Sequence, residues 1–388
     1  MKIMIRYSRQ LISSSDIKTV NQVLKSDFLT QGPKSILFEK KLSSKFNVKY
    51  STSCNSATSA LHLACLALGV KKGDHVWTCT NSFVASASCA LHCGAKIDLV
   101  DINSETYNLD INSLLKKLKI AYKKKKLPKV LIPVHFAGLP CEMREIHKLS
   151  KKYKFKIIED ASHAVGAKYY GSKIGSCKYS DITIFSFHPV KIMTTAEGGA
   201  ALTNSKELDF KLKFYRSHGI TKERKFLNKR NKANWYYECK DLGFNYRLND
   251  IQSALGISQL KKVNKWLLYR NKLAKNYQKK LKNLPIEFFS SKKEFYSSYH
   301  LFIIKILKNK KGLTRDNLFK YLHKKNIQTN VHYIPIHTHP FYKKLGFKSK
   351  NFPNAEHYFK NCLSLPMHVA LKFSDQNKVI NLIKKFFK

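Results

Sequence analysis

The sequence predicts an α/β fold with a mainly parallel sheet, on three observations. Short apolar runs of strand length recur between residues 75 and 203, helix-like stretches separate several of them, and after Asn249 the pattern gives way to sustained helical periodicity. Strands alternating with helices imply a sheet covered on both faces, with ligand sites outside the strand ends.

Element by element, Ser14 and Ser15 can cap a first helix, on one face of which Ile17, Val20, Val23 and Leu24 recur. The small polar run from Ser51 to Ser56 precedes a second helix at 57–68. Strand candidates follow at 75–80, 96–100, 129–135, 155–159, 181–187 and 199–203, with helix-like stretches at 84–92 and 141–152. From Asn249, Ile251, Leu255, Leu260, Val263 and Leu267 sit at helical spacing and predict one long helix that opens a second domain. Beyond it, 299–307 reads as a strand, 315–325 as a helix, and 375–387 as a last helix behind a Ser374 cap. The expectation is a large domain over 1–248 with its N-terminal segment, and a small α+β domain over 249–388.

Composition narrows the class. The chain of 388 residues is 43% hydrophobic and 12% aromatic, enough for one large core or two modest ones, which excludes disorder as the main state. No apolar run approaches the roughly 18 to 20 residues of a membrane helix, and residues 1–15 hold no secretory apolar stretch. The nine cysteines form no C-x-x-C pair and read as free thiols of a reducing compartment, so the expected location is cytoplasmic. The net charge of +47 suggests nucleic acid, yet only nine of the 72 basic residues are Arg, and Lys is scattered along the whole chain. That pattern favours a solvated basic surface over a nucleic-acid footprint; a basic nucleic-acid-binding protein on an enzyme scaffold stays as the rival from another class.

Chemistry concentrates between Phe185 and Gly199. Lys191 follows a strand and precedes the small-residue run Thr194, Thr195, Ala196, Glu197, Gly198, Gly199, which places it on a loop at a strand end. A lysine there can form a Schiff base with an aldehyde cofactor, provided other groups hold that cofactor's phosphate and ring nitrogen. Asp160 ends a buried strand and needs a cationic partner, for which a pyridinium nitrogen would serve; the alternative is a helix cap or internal ion pair. Ser56, Ala57 and Thr58 open a helix and so offer a phosphate site or an ordinary cap. Phe83 begins the next helical stretch and could cover a ring or simply join the core. His332, His337 and His339 lie close together, but no Cys, Asp or Glu stands among them, so substrate contact is preferred and no metal is expected.

Five motifs occur in order: Asn55-Ser56-Ala57-Thr58, Glu159-Asp160-Ala161-Ser162-His163, Ser186-Phe187-His188 ahead of Lys191, Glu197-Gly198-Gly199, and Gly243-Phe244-Asn245-Tyr246-Arg247-Leu248-Asn249-Asp250. Together they resemble the DegT/DnrJ/EryC1/StrS nucleotide-sugar aminotransferases over nearly the full chain. The resemblance implies the PLP-dependent transferase fold type I, like aspartate aminotransferase, with a mainly parallel seven-stranded sheet in the large domain. It also implies pyridoxal 5'-phosphate bound covalently by Lys191, with Asp160 at the ring nitrogen and His163 near the phenolic oxygen. Ser56, Ala57, Thr58 and Ser186 would hold the phosphate, Phe83 would stack on the ring, and Asn245 would cross to the cofactor of the partner subunit in a homodimer. Tyr7, Arg247, His332 and Tyr333 are the substrate-binding candidates.

Within the family, Arg9-Gln10, Trp235-Tyr236-Tyr237-Glu238 and the segment from Asn330 to His337 resemble the branch of pseudaminic acid biosynthesis. Ser8 and Ile192 depart from that pattern, where Gly and Pro are expected. The implied reaction moves an amino group from L-glutamate to C4 of a UDP-linked 4-keto-6-deoxy-N-acetylhexosamine; a dTDP-linked or 3-keto nucleotide sugar is the alternative substrate.

Overall fold

The computed structural model describes residues 4–228 and 233–388. After α1 (Ser14–Leu24) and α2 (Pro33–Phe46) the chain runs β1 (Tyr50–Cys54), α3 (Ala57–Ala67), β2 (His75–Cys79), α4 (Ala85–His92), β3 (Lys96–Val100), α5 (Ile111–Lys123), β4 (Val130–Ile132), α6 (Met143–Tyr153) and β5 (Lys156–Asp160). A hairpin, β6 (Lys168–Tyr169) and β7 (Ser172–Lys173), precedes β8 (Ile182–Ser186), β9 (Gly199–Thr203) and α7 (Lys206–Arg216). Seven strands form one sheet in the order β1-β9-β8-β5-β4-β2-β3, all parallel except β9, which runs antiparallel to both β1 and β8.

Both sheet faces are buried, and the strand period of two sorts side chains between them. Val76, Val130, Ile132, Ile158, Ile182 and Ile184 pack on one face with Leu61, Leu63, Ala90 and Leu212 from α3, α4 and α7. Trp77, Leu131, Ile157, Phe185 and Leu202 pack on the other with Phe38, Leu42, Leu114 and Ile146 from α2, α5 and α6. Strand β1 is one the sequence pattern hides, because Ser51, Thr52 and Ser53 look like loop. They are buried strand residues whose hydroxyls find distant acceptors: Thr52 donates to Asp209 at 2.9 Å and Ser53 to Glu39 at 2.9 Å.

The hairpin β10 (Ile220–Thr221) and β11 (Glu238–Cys239) leads to α8 (Asp250–Leu260) and α9 (Val263–Leu281). The single long helix expected from Asn249 is therefore two helices, broken at Lys261 and Lys262. The break has a packing cause. Gln259 and Lys262 both bind Asp16, at 2.9 and 2.7 Å, and hold the end of α8 on α1, whereas α9 packs on the last helix.

Then come β12 (Ile286–Phe288), β13 (Phe295–Tyr296), β14 (Phe302–Ile306), α10 (Arg315–Lys324), α11 (Pro340–Lys344), α12 (Pro353–Asn361), β15 (Cys362–Leu365) and α13 (Phe373–Phe387). An antiparallel sheet, β12-β14-β15, forms a further core with α9, α10 and α13 through Phe302, Ile304, Leu363, Tyr277, Leu322 and Ile380. Helix α13 starts at Phe373 behind Lys372, not behind Ser374.

Candidate active site

Two neighbouring parallel strands end at one place. Asp160 is the last residue of β5 and Ser186 the last of β8, and their C-terminal ends open onto a cavity of about 320 Å³ beside the N-terminus of α3. Lys191 reaches it from the loop after β8. That loop is closed by its own backbone: Phe187 N–H donates to Gly198 O at 2.8 Å, Thr195 N–H to Phe187 O at 2.9 Å, and Lys191 N–H to His188 O at 2.9 Å. Thr194 adds a hydroxyl bond to Phe187 O at 2.9 Å, so the run of small residues fixes the loop rather than loosening it. Burial pushes the Lys191 ammonium down to about 8, against the opposing charge of Asp160.

Asp160 is 5% exposed, and its carboxylate is held from two sides. Ser86 of α4 donates to Oδ2 at 2.6 Å and Ser162 N–H to Oδ1 at 3.1 Å. The Ser86 hydroxyl also meets Ser82 at 2.7 Å, which chains two hydroxyls to the carboxylate. The neighbouring Glu159 faces away and ties to His135 at 2.7 Å, where His135 Nδ1 accepts from Cys141 N–H and Nε2–H donates to Glu159.

Helix α3 supplies the anion end of the cavity. Ser56 is its cap, accepting from Ser59 N–H at 3.0 Å, while Ala57 and Thr58 line the cavity with first-turn N–H groups that have no intrahelical acceptor. Gly199 makes this approach possible. A Cβ there would lie 2.5 Å from Ala57 N and 2.6 Å from Ser56 O, so only glycine lets β9 lie this close to the helix start.

The opposite wall is imidazole and phenol. His163 Nε2 pairs with the Tyr333 hydroxyl at 2.9 Å, its ring lies 4.3 Å from that of His300, and its buried Nδ1 has no protein partner. Burial and Lys191 keep His163 well below the usual imidazole range and bring His332 down to about 3. His332 Nδ1 meets Ser364 at 2.8 Å, whereas His337 bridges Thr80 and Glu356 at 2.6 and 2.8 Å, so these two histidines serve different partners. Phe83 is exposed at the rim, 6.1 Å from the Tyr333 ring.

Of the thirteen residues that the family resemblance assigns to the site, eleven line this cavity: Tyr7, Ser56, Ala57, Thr58, Phe83, Asp160, His163, Ser186, Lys191, His332 and Tyr333. His337 and His339, expected as substrate contacts beside His332, do not line it, His337 being held by Thr80 and Glu356. Neither do Asn245 and Arg247. Asn245 is exposed and bridges Ser217, and Arg247 bridges Cys54, on a strand-like segment behind α3. Ser82, Ser86 and His300 are the contributors that sequence reasoning misses, since a Ser or His without a neighbouring motif carries no signal of its own.

The residues present fit a phosphorylated pyridine aldehyde: an amine pushed to about 8, a carboxylate held by two donors, and a helix start that a Cβ at Gly199 would crowd. The DegT/DnrJ/EryC1/StrS aminotransferase family profile matches residues 10–384. The chain belongs to that family.

It is 41% identical over 374 residues to the Campylobacter jejuni UDP-4-amino-4,6-dideoxy-N-acetyl-beta-L-altrosamine transaminase, covering 96% of this chain and 94% of that protein. Among solved structures it resembles Helicobacter pylori PseC, an aminotransferase involved in the biosynthesis of pseudoaminic acid, with TM-score 0.89 and 33% identity over 99% of both chains. It also resembles a Streptococcus pneumoniae protein described as a sugar aminotransferase and solved in a PLP form, with TM-score 0.88 and 29% identity over 98% of both chains. The fold is that of the PLP-dependent aminotransferases, a mainly parallel seven-stranded sheet flanked by helices. Among the described residues no helix is long and apolar enough to cross a membrane.

Proposed function

We propose that this chain is a PLP-dependent transaminase that moves an amino group from L-glutamate to C4 of a UDP-linked 4-keto-6-deoxy-N-acetylhexosamine, as a cytoplasmic homodimer. The observation that carries the reading is the meeting of Lys191, Asp160 and the α3 N-terminus in one cavity. The choice of sugar rests on the name of the Campylobacter jejuni relative.

Pyridoxal 5'-phosphate, when bound, supplies a carbon that carries the amino group between the two substrates and a ring that withdraws electrons from the reacting carbon. Ser56, Ala57, Thr58 and Ser186 would hold its phosphate, joined by Asn245 of the partner subunit, and Asp160 would take its ring nitrogen. Phe83 would cover the ring and His163 would stand at the phenolic oxygen.

Lys191 Nζ has two tasks in this reading, covalent attachment and proton transfer. With its ammonium pushed to about 8, a useful fraction is free amine near neutrality, able to take a proton from the α-carbon of glutamate and deliver one to sugar C4. His332 and Tyr333 border the space above it, with Tyr7 facing His332 at 5.6 Å between rings, so these three would orient the sugar. Arg247 would serve the substrate diphosphate across the subunit boundary.

The test is incubation of the purified protein with glutamate and a panel of UDP- and dTDP-linked ketosugars, read by mass. Amination of the UDP-linked 4-ketosugar, with stoichiometric 2-oxoglutarate, is the expected result. Turnover confined to a dTDP-linked or 3-keto sugar overturns the substrate assignment, and no amination of any of them overturns the activity.

A further inference from the structure

The turn that precedes β14 is held by more bonds than a connecting loop needs, and it ends on the cavity wall. Tyr299 is a bulky residue in the left-handed region, at φ 45, a conformation that persists only where the surroundings over-determine it. Here they do. Tyr299 N–H donates to Ser297 Oγ at 3.0 Å, Ser298 N–H donates to Gly138 O at 3.0 Å, and the Ser298 hydroxyl donates to His163 O at 2.7 Å. The turn delivers His300, which lines the cavity with its ring 4.3 Å from that of His163.

Arg270 of α9 completes the clamp. It is fully buried, no carboxylate pairs with it among the described residues, and burial alone pushes its guanidinium down to about 10. A buried cation without a counter-charge is costly, so its hydrogen bonds show what it is kept for. Its Nη1 donates to Tyr299 O at 3.1 Å, His300 O at 3.3 Å and Met367 O at 3.1 Å. Met367 N–H in turn donates to Tyr7 O at 2.9 Å, so one side chain of α9 ties together two walls of the cavity. The His300 ring itself gives His163 contact rather than a hydrogen bond. Its buried Nδ1 has no protein partner, and burial first, with neighbouring charge after it, holds both imidazoles well below their usual range, so two neutral rings meet without repulsion.

We propose that His300, held through its backbone by Arg270, is a positioning residue that fixes the His163 imidazole for the phenolic oxygen of the cofactor. The inference rests on the PLP reading of this cavity. His163 is tied at Nε2 by the Tyr333 hydroxyl, at 2.9 Å, and at its backbone oxygen by Ser298. What these two bonds leave free is the tilt of the ring about its side-chain bonds, and the His300 ring stands where that tilt would carry it. Removing the ring opens space beside His163, and a polar group that drifts from its partner loses the directional part of its hydrogen bond.

The experiment compares the purified holoprotein with His300→Phe, which keeps a ring and loses both nitrogens, and His300→Gln, which keeps a polar group and loses the ring. Both fill most of the space, and thermal unfolding of the cofactor-free proteins separates fold from site. The readout is the balance between the long- and short-wavelength absorbance bands of the bound cofactor, which responds to hydrogen bonding at its phenolic oxygen, beside kcat and KM for glutamate. His300→Gln should shift that balance and lower kcat about 10- to 100-fold with KM nearly unchanged. His300→Phe should restore the wild-type balance and most of the lost rate. The opposite order, with Gln recovering and Phe failing, overturns the proposal, because a nitrogen of His300 then acts directly. A wild-type cofactor spectrum that neither variant moves overturns it as well and leaves the PLP reading standing. A wild-type protein that takes up no pyridoxal 5'-phosphate overturns that reading, and this inference with it.

Discussion

The Ser86 hydroxyl donates to Asp160 Oδ2 at 2.6 Å across 74 residues of sequence, so α4 holds in place the carboxylate that β5 delivers. Removing that donor leaves a buried carboxylate oxygen short of a partner, a loss of about 1.5–3 kcal/mol for a charged acceptor. Ser86→Ala should therefore weaken cofactor binding or turnover about 10- to 100-fold while the fold persists. Titration of the cofactor-free variant with pyridoxal 5'-phosphate, alongside thermal unfolding, separates this from general destabilisation. Unchanged affinity and rate would make Ser86 a packing residue of α4.

Lys191 gives a pH prediction with a definite sign. Burial disfavours the ammonium and brings it to about 8, so covalent capture of the aldehyde, which needs the free amine, should accelerate as pH rises and level off just above 8. A solvated lysine would keep accelerating toward about 10.4. Reconstitution rates of the cofactor-free protein from pH 6.5 to about 10 distinguish the two. Lys191→Ala should show no covalent capture at any pH, and a borohydride-fixed adduct on another lysine would remove Lys191 from its assigned role.

The parts of the site legible in the sequence are those whose meaning is carried by neighbours in the chain. Lys191 is flagged by the strand before it and the small residues after it, Asp160 by the apolar run it ends, and Ser56 by the helix it caps. What escapes is whatever depends on a partner far away. Strand β1 reads as a polar loop until Asp209 and Glu39 are seen to satisfy its hydroxyls. Helix α2 is anchored by Asp250, which accepts from Gly32 and Lys34 N–H groups at 2.8 and 2.7 Å, more than two hundred residues away. The break between α8 and α9 likewise comes from Asp16, and no proline or glycine marks it.

Gly199 links the fold to the phosphate site. A methyl group there meets backbone, not a flexible side chain, at 2.5 Å from Ala57 N, so either β9 or the start of α3 has to move. Gly199→Ala should cost about 1–3 kcal/mol of stability, as overpacking does, and weaken cofactor phosphate binding at the same time. Chemical denaturation measured with and without cofactor checks both. A variant that loses stability but keeps full cofactor affinity would show that the helix start does not hold the phosphate.

Asn245 tests whether the site is shared. Its own chain leaves it exposed and outside the cavity, paired by backbone to Ser217, so a role at the cofactor requires the site of a second subunit. Consider Lys191→Ala chains and Asn245→Asp chains, each poorly active alone, mixed under conditions that exchange subunits. If Asn245 crosses, each heterodimer collects both lesions in one site and neither in the other. Random exchange makes about half the dimers mixed, so about a quarter of all sites become intact and activity should rise toward about a quarter of the wild-type value. If Asn245 serves only its own chain, every site in every dimer keeps one lesion and mixing restores nothing. Subunit exchange is verified by a tag on one of the two chains, and recovery after confirmed exchange distinguishes a shared site from two separate ones. Without recovery, Asn245 is a residue of its own chain's surface, and the cofactor phosphate depends on Ser56, Ala57, Thr58 and Ser186 alone.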